Sequence, residues 1–252
     1  MKADLHGHVI TWDGKDNREV GRYFNKVIDI AAGRLGEGGI ISVVNFFGER
    51  YEYFVGAEGY RRKFVSIDKR GMHVPEKDIY VVRGQEVPTL QGHLLALATP
   101  YGSKIEGGRG MAETLEDIEK FGGISVLVHP FYFNGAGPYV NSCRKLLKKV
   151  DAIEVYNGEV VCSLANRKAR KFYEEVSREH AHLGALSSSD GHSVGEVGMS
   201  WTQICFPDKS FFVESLRGSI RGANLSTPMK KKNSFLGATG HVSKLLVRKL
   251  RI

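Results

Sequence analysis

The sequence has few cysteines and no long hydrophobic run. Its three cysteines, Cys143, Cys162 and Cys205, are widely spaced and form no CxxC pair, which argues against a disulfide framework and favours a reducing compartment. The longest apolar stretches, such as residues 124–128, are far shorter than the ~20 residues that a membrane-spanning helix needs. The N-terminal residues include histidines and aspartates, unlike a secretory signal. We therefore expect a cytoplasmic protein without a transmembrane segment.

Acidic residues are missing from the last part of the chain. The segment 228–252 contains no Asp or Glu and seven cations: Lys230, Lys231, Lys232, Lys244, Arg248, Lys249 and Arg251. The whole chain has a formal net charge of +8, so residues 1–227 are close to neutral. We predict a folded domain over 1–227 and a basic tail over 228–252. The tail could lie against a polyanion such as nucleic acid, touch a membrane surface or a protein partner, or stay solvated.

Short apolar, β-branched runs alternate with amphipathic stretches along the chain. Strands are predicted at 40–45, 79–83, 93–98, 124–128, 152–156, 185–187 and 202–206, and helices at 18–35, 112–121, 143–149, 164–182 and 211–221. Strands that are apolar on both faces are typical of parallel sheets with helical crossovers. We predict one α/β domain of six or seven βα units, either a barrel or an open sheet. Residues 48–77 are predicted to be an irregular insertion that could act as a lid, and residues 101–111 a flexible glycine-rich loop.

Imidazoles and carboxylates flank the predicted strands. His6 and His8 are two residues apart, so on an extended strand both side chains face the same side. The full set of candidate metal ligands is His6, His8, Asp13, Glu86, His93, His129, Asp190 and His192. Binding groups converge at strand ends in parallel α/β folds, and this mixed N/O set suits Zn, Mn or Fe(II). Because eight groups exceed what one ion needs, we expect two or three divalent ions, with Glu86 shared between them.

Four other histidines lie in predicted loop, helix or tail segments, where a metal site is not expected. They are His73, His180, His182 and His241.

Six motifs occur in the order and roughly the spacing of one known family. The motifs DLHGHV, GQEV, GHLLAL, GGISVLVHP, DAIEVYNG and SSSDGH resemble those of the PHP (polymerase and histidinol phosphatase) superfamily, in particular its small stand-alone phosphoesterases. The resemblance runs from residue 3 to about residue 222. It implies a distorted seven-stranded (β/α) TIM-like barrel with a two- or three-metal site at the C-terminal face of its strands.

The resemblance also implies a role for each candidate ligand. His6, His8, Glu86 and Asp190 would hold a first metal, Glu86, His93 and His129 a second, and Asp13 and His192 would belong to a third.

One position departs from the family pattern. The family usually has Thr-Asp-His after its second strand, whereas the equivalent stretch of this sequence is Val43-Val44-Asn45-Phe46-Phe47. Phe46 stands in the place of the histidine and cannot bind a metal, so we expect a dinuclear centre with a weak or absent third ion. Asn45 could act as a hydrogen-bond partner of a ligand, and Glu49 is the alternative ligand.

The predicted reaction is metal-assisted hydrolysis of a phosphate ester. Two ions would generate a bridging hydroxide that attacks phosphorus. The predicted catalytic residues are Asp190, which would orient this nucleophile, and His192, which would protonate the leaving oxygen. Arg61, Arg62 and Arg109 are candidate phosphate-binding cations. The basic tail favours a nucleotide or an oligonucleotide as substrate, and a small metabolite resembling histidinol phosphate is the alternative.

Two further functions remain open at this point. A domain that lost catalysis with Phe46 could serve as a metal-stabilised binding or regulatory module. A hydrolase of C–N bonds on a similar barrel is disfavoured, because no lysine suited to carboxylation stands at a strand end.

Overall fold

Among the residues that the computed structural model describes, 1–9, 16–160, 163–205 and 212–232, eleven strands form one mixed sheet. The strands are β1 (Lys2–Asp4), β2 (Gly39–Val43), β3 (Val65–Ile67), β4 (Gly71–Val74), β5 (Ile79–Thr89), β6 (Gly92–Leu97), β7 (Ile124–Leu127), β8 (Ala152–Asn157), β9 (Gly184–Ser188), β10 (Trp201–Gln203) and β11 (Met229–Lys230). The helices are α1 (Asn17–Leu35), α2 (Glu49–Gly56), α3 (Met111–Lys120), α4 (Gly137–Ser142), α5 (Ser163–Val176) and α6 (Phe212–Gly222). Short 3₁₀ helices cover Arg144–Lys149 and Val194–Glu196.

The main path of the sheet runs through nine strands, in the order β11-β10-β1-β2-β5-β6-β7-β8-β9. Its two ends approach each other. Asp190 N donates to His6 O at 2.7 Å, Ser187 N donates to Thr202 Oγ1 at 2.6 Å, and Gly7 forms an isolated parallel bridge with Gly191. The predicted α/β class is therefore confirmed, in the form of a nearly closed, barrel-like sheet with nine strands on its path where the resemblance implied seven.

Strand β6 interrupts the predicted run of parallel βα units. β1, β2 and β5 pair in parallel, as do β7, β8 and β9, but β6 is antiparallel to both of its neighbours. The physical reason is the connection: only Leu90 and Gln91 separate β5 from β6, whereas a parallel pair needs a crossover of a dozen or more residues. As a result, the first residues of β6 lie at the same edge as the last residues of β2 and β7.

Strand β5 continues well beyond its predicted end at residue 83. Its pairing with β2 stops at Arg83, opposite Val43, and its pairing with β6 starts at Gly84. A Cβ on Gly84 would lie 2.9 Å from Val44 Cγ2, so the close approach at this change of partner requires glycine. The extension carries Glu86 past the end of β2 and into the interior.

Helix α1 confirms the prediction at 18–35. Asp16 caps it, because its Oδ1 accepts a hydrogen bond from Arg18 N at 2.8 Å. Gly36, with φ of 79°, ends it in a left-handed conformation that glycine adopts without strain. The buried side chains recur every three or four residues at Val20, Phe24, Val27, Ile28, Ala31 and Leu35.

Segment 48–77 is not an irregular lid, contrary to the prediction. It forms α2, β3 and β4, and β4 pairs with β5. Tyr51, Phe54, Met72 and Val74 are buried in an apolar cluster shared with α1 and β2. The fully buried Arg83 fixes α2 as well, because its Nε lies 2.8 Å from Glu52 Oε1. Apolar burial along the segment therefore makes it a packed part of the fold.

Other predicted helices differ in length or type. α5 ends at Val176 rather than 182, since its buried positions end there. The predicted helix at 143–149 is the 3₁₀ helix Arg144–Lys149. Residue 206, the predicted end of the last strand, lies outside the described residues.

Helix α6 lies at the N-terminal ends of strands β7, β8 and β9. Arg217 donates to Gly122 O and Gly123 O just before β7, and Arg221 Nε donates to Asp151 Oδ1 at 2.7 Å just before β8. Its apolar face packs on the cluster inside the sheet through Phe212, Val213, Leu216 and Ile220.

The first residues of the predicted basic tail belong to the sheet. Met229–Lys230 pairs with β10, and Lys231 and Lys232 follow on the exposed surface. The rest of the tail, from residue 233, lies outside the described residues. In the described part of the chain, no helix combines the length and apolar character that crossing a membrane requires.

We expect Phe54→Ala to lower the free energy of unfolding by about 3–5 kcal/mol, because it removes a fully buried ring from a packed cluster. The control is Val65→Ala in the same segment, whose side chain is 58% exposed and should cost about 0.5 kcal/mol or less. Urea unfolding followed by circular dichroism measures both. Equal, small effects would mean that segment 48–77 does not pack as described.

Candidate metal centre

Seven of the eight predicted ligands meet at one edge of the sheet. His6 and His8 follow β1, Glu86 lies in β5, His93 in β6, His129 follows β7, and Asp190 and His192 follow β9. The eighth, Asp13, lies outside the described residues. The meeting point is the C-terminal edge of the parallel strands, and antiparallel β6 places His93 there through its first residues.

The carboxylate of Glu86 stands between two sets of imidazoles. Its Oε2 lies 2.8 Å from His8 Nε2 and 3.9 Å from His6 Nε2. Its Oε1 lies 2.7 Å from His93 Nδ1 and 2.9 Å from His129 Nε2. One carboxylate thus offers each of its oxygens to a different pair of nitrogens, which is the arrangement expected of a group shared by two ions.

Asp190 faces the first of these pairs. Its Oδ1 lies 3.4 Å from His6 Nε2 and 3.7 Å from His8 Nε2. Its Oδ2 accepts a hydrogen bond from Asn157 Nδ2 at 2.9 Å, which fixes the rotation of the carboxylate. Oδ1, the candidate ligand oxygen, therefore points toward the imidazoles of His6 and His8, and Oδ2 points toward Asn157.

Two of the ligands have strained backbones. His129 has φ of 28° and Asp190 has φ of 52°, in the left-handed region that non-glycine residues rarely adopt. Each such residue costs on the order of 1–3 kcal/mol and persists where its surroundings over-determine it. Here the left-handed turn directs each side chain back over the end of the strand that precedes it.

Four overlapping groups of side chains have ligand atoms within 4.8 Å of one another. They are His6, His8 and Glu86; Glu86, His93 and His129; His6, His129 and Asp190; and His8, Asp190 and His192. The first two share Glu86, as the resemblance implied for the first and second metals.

Buried polar atoms inside these groups show that divalent ions fit here. His6 Nε2 and Asp190 Oδ1 are buried and have no hydrogen-bond partner among the described residues, although burying a polar group without a partner is costly. Both atoms point at a ligand set of imidazole nitrogens and carboxylate oxygens, the donors that Zn, Mn and Fe(II) accept. Two divalent ions would satisfy them.

Coulombic and hydrogen-bonding interactions within the cluster shift the pKa values of its members. Burial raises the pKa of Glu86, but interactions with the imidazoles of His129, His6 and His8 outweigh it and hold that pKa well below its ordinary value. Burial lowers the pKa of His6, but the charges of Asp190 and Glu154 outweigh it and raise that pKa well above its ordinary value. The Glu86 carboxylate is therefore kept ionised, which is the state that binds metal, whereas His6 favours its protonated form and an ion that binds there must displace that proton.

Glu154 orients the imidazoles from behind, and no prediction included it. Its Oε1 lies 3.2 Å from His6 Nδ1, and its Oε2 accepts hydrogen bonds from His129 N at 2.7 Å and Asn157 Nδ2 at 2.9 Å. Carboxylates that hold the far nitrogen of a ligating histidine set its tautomer and ring orientation. The signal in the sequence was an acidic residue inside an otherwise apolar strand.

Asp4 holds the two chain segments of the cluster together and was also missed. Its Oδ1 accepts from Ser189 N at 2.9 Å, and its Oδ2 accepts from Ser189 Oγ at 2.6 Å and Gly198 N at 2.8 Å. Burial raises its pKa to about 6. These bonds connect the strand before His6 with the turn that carries Asp190.

His192 lies over His8 at the rim of the cluster. The two rings stack with centroids 4.6 Å apart and an angle of 15° between their planes. His192 Nδ1 lies 2.7 Å from Asp190 O and 4.0 Å from Glu159 Oε1. Burial, together with the charges of Glu196 and Asp190, raises the pKa of Glu159 to about 8. Neither Glu159 nor Glu196 was among the predicted site residues.

Phe46, which the resemblance aligns with a histidine of the family, lies beside the candidate ligands. Its ring centroid is 5.6 Å from that of His8 and 5.8 Å from that of His93. Asn45 Oδ1 is buried without a partner among the described residues. Glu49, the alternative ligand, is exposed and lies within hydrogen-bonding range of Tyr53, so the structure does not bring it into the ligand groups.

The three candidate phosphate-binding arginines are engaged away from the cluster. Arg61 packs on the ring of Phe64, Arg62 pairs with Asp29 and Glu76, and Arg109 pairs with Asp117. A basic group that the structure does place beside a candidate ligand is Arg50, whose Nη1 donates to His8 O at 2.5 Å.

The histidines not expected to bind metal also lie elsewhere. His73 Nε2 lies 2.8 Å from Asp78 Oδ1, and His182 contacts Leu147 O. His180 lies next to His182, and His241 is outside the described residues.

No protein-family model and no curated protein sequence matches the chain. Solved structures do. The lesion-specific endonuclease Q of Pyrococcus furiosus matches with a TM-score of 0.59 and 16% identity. A two-domain protein from Bacteroides vulgatus that contains a predicted PHP-like metal-dependent phosphoesterase matches with a TM-score of 0.58 and 13% identity. PsfC from Pseudomonas syringae matches with a TM-score of 0.62 and 16% identity.

The chain shares its fold with these proteins, one of which contains a predicted PHP-like phosphoesterase. The matches cover 91% of the chain and 57% of the endonuclease, 92% of the chain and 65% of the two-domain protein, and 100% of the chain and 98% of PsfC. The chain thus spans less than two thirds of the first two proteins. At these identities the likeness concerns the fold, and it confirms the PHP resemblance at that level.

We expect Glu86→Ala to abolish binding of both ions, because it removes the carboxylate that faces both pairs of imidazoles. His93→Ala should reduce the stoichiometry from two Mn²⁺ or Zn²⁺ per chain to one, because His93 faces only one oxygen of Glu86. The control, His73→Ala, should leave it at two. Mass spectrometry of the metal content after dialysis measures all three, and two ions retained by Glu86→Ala would contradict the shared-carboxylate assignment.

Proposed function

We propose that the chain is a metal-dependent phosphoesterase that holds two divalent ions, Mn, Zn or Fe, and hydrolyses a phosphate ester of a nucleotide or an oligonucleotide. The observation that carries this proposal is the placement of Glu86. One buried carboxylate presents its two oxygens to two separate pairs of imidazoles, at distances of 2.7–3.9 Å. A third ion at Asp13 and His192 is not part of the proposal, because Phe46 occupies the position of one of its ligands.

When bound, two divalent ions lower the pKa of coordinated water and neutralise the charge that develops on phosphoryl oxygens. The protein's own residues fix the positions of the ligand side chains. Asn157 holds Asp190 through its Oδ2, and Glu154 holds His6 through its Nδ1. Asp190 Oδ1 is thereby left facing the proposed ion positions.

His192 is the proposed proton donor to the leaving oxygen. Its side chain is 27% exposed, in contrast to the buried His6 and His8, so a substrate can reach it. Its Nδ1 is held 2.7 Å from Asp190 O. As an imidazolium, His192 would donate from Nδ1 to Asp190 O and keep a second proton on Nε2, which would pass to the leaving oxygen.

Two observations support a nucleotide or oligonucleotide as substrate. Exposed Lys231 and Lys232 are two of the seven cations in segment 228–252, and such groups of cations contribute salt-dependent affinity for phosphate backbones. Endonuclease Q, which shares the fold, has been solved with a 27-mer duplex that carries an abasic lesion at its active site. A small phosphorylated metabolite remains the alternative substrate.

A metal-stabilised binding module is the alternative from a different class. A domain drifting away from catalysis should lose several ligands, whereas seven of the eight candidates converge here and the eighth lies outside the described residues. A C–N hydrolase that uses a carboxylated lysine is disfavoured further, because no lysine is buried in the described ranges.

We expect the metal-loaded chain to hydrolyse an aryl phosphate monoester, a diester or both, with turnover that requires Mn²⁺, Zn²⁺ or Fe²⁺. Asp190→Asn should reduce kcat by at least about 100-fold, because it alters a ligand aimed at the reacting side, and His73→Ala should leave kcat unchanged. Release of nitrophenol measures the rates. Two bound ions without turnover on either ester would favour the binding module.

We expect truncation after Lys232 to weaken oligonucleotide binding while sparing turnover of the aryl ester. The truncation keeps β11 and removes Lys244, Arg248, Lys249 and Arg251. Each cation that contacts a single strand contributes about 0.7 to the slope of log K against log salt, so the slope should become shallower. Fluorescence anisotropy between 50 and 200 mM salt, roughly the range in which such contacts are resolved, measures it. An unchanged slope would assign these cations no part in binding.

A further inference from the structure

We propose that Phe46 determines substrate specificity by stacking on the planar base of a nucleotide whose phosphate is held at the metal centre. The inference rests on the proposed function and deepens it, because it names the residue that recognises the part of the substrate outside the phosphate.

Phe46 borders both proposed ion positions. Its ring centroid lies 5.6 Å from that of His8, which faces Glu86 Oε2, and 5.8 Å from that of His93, which faces Glu86 Oε1. A phosphate held by ions at these ligands would therefore have this ring as a direct neighbour.

The ring is also open to solvent. Phe46 is 43% exposed, although full burial of such a side chain would contribute roughly 1.5–3 kcal/mol. An exposed aromatic surface beside a cluster of metal ligands is a surface on which another planar group can be buried.

The backbone of this segment is fixed to strand β5. Gln85 Nε2 donates to Phe46 O at 3.0 Å, and Glu86 N donates to Asn45 O at 3.1 Å. The residue that supplies the shared carboxylate thus also positions the backbone that carries the ring. A backbone held in place before the substrate arrives loses little conformational entropy on binding.

The chemistry of the ring selects the ligand. Phenylalanine cannot coordinate an ion or form a hydrogen bond, so its contribution at this position is its π-face. Base–aromatic stacking is worth about 1–3 kcal/mol per base and tolerates any base. A nucleotide gains this contact, whereas an aliphatic phosphate ester such as glycerol phosphate gains much less.

The test is calorimetric binding of adenosine monophosphate, glycerol phosphate and inorganic phosphate to the Mn²⁺-loaded protein. Phe46→Leu should weaken adenosine monophosphate about 5- to 100-fold, while changing inorganic phosphate, glycerol phosphate and the Mn²⁺ stoichiometry by less than about twofold. Phe46→Trp should restore nucleotide affinity, because it keeps a π-face. Phe47→Leu, one residue away, is the matched control and should change nucleotide affinity by less than about twofold.

An equal loss for all three ligands, or no loss for the nucleotide, would overturn the assignment of Phe46. The binding assay separates this result from failure of the proposed function. Selective loss of nucleotide affinity in Phe46→Leu, without hydrolysis of any ester by the wild type, would support stacking and refute the phosphoesterase. Hydrolysis by the wild type with unchanged nucleotide affinity in Phe46→Leu would do the reverse.

Discussion

The burial of the Glu86 carboxylate among four imidazoles is the interaction on which the rest of the site depends. A buried carboxylate is costly unless it is fully paired. The partners of Glu86 are His6 and His8 after β1, His93 in β6 and His129 after β7, so they are spread over more than 120 residues of the chain. Strands β1, β5, β6 and β7 must therefore come together in the sheet before the carboxylate is compensated.

Strand β5 is what makes this arrangement possible. It pairs with parallel β2 up to Arg83, changes partner at Gly84 and continues alongside antiparallel β6. The change of partner brings Glu86 to the level where the parallel strands end. The two-residue turn into β6 then returns the chain at once, so that His93 enters from the same edge. One long strand and one tight turn thus supply the shared carboxylate and one of the four imidazoles that face it.

Much of the site could be predicted from the sequence, because ligand chemistry depends on residue type and on position relative to a strand. His6, His8, Glu86, His93, His129, Asp190 and His192 were all recognisable in this way. Glu154 was not, because an acid inside an apolar strand shows its role only when the imidazole it holds is known. The sheet was harder still: a run such as 93–98 has the same apolar pattern whether it pairs in parallel or antiparallel. The packing of segment 48–77 was obscured by its mixed polar and apolar composition.

Helix α6 and the candidate metal ligands lie at opposite ends of the strands. Its contacts with Asp151, Gly122 and Gly123 lie where the strands begin, and a Cβ on Gly184 would come within 2.0 Å of Ile220 O, so backbone meets backbone there with no room to spare. The ligands stand where the strands finish, on turns that face outward. Substitutions around α6 should therefore be felt as changes in melting temperature, and substitutions on the outward turns as changes in chemistry. A protein built this way can be made more robust from one end and given a new substrate from the other.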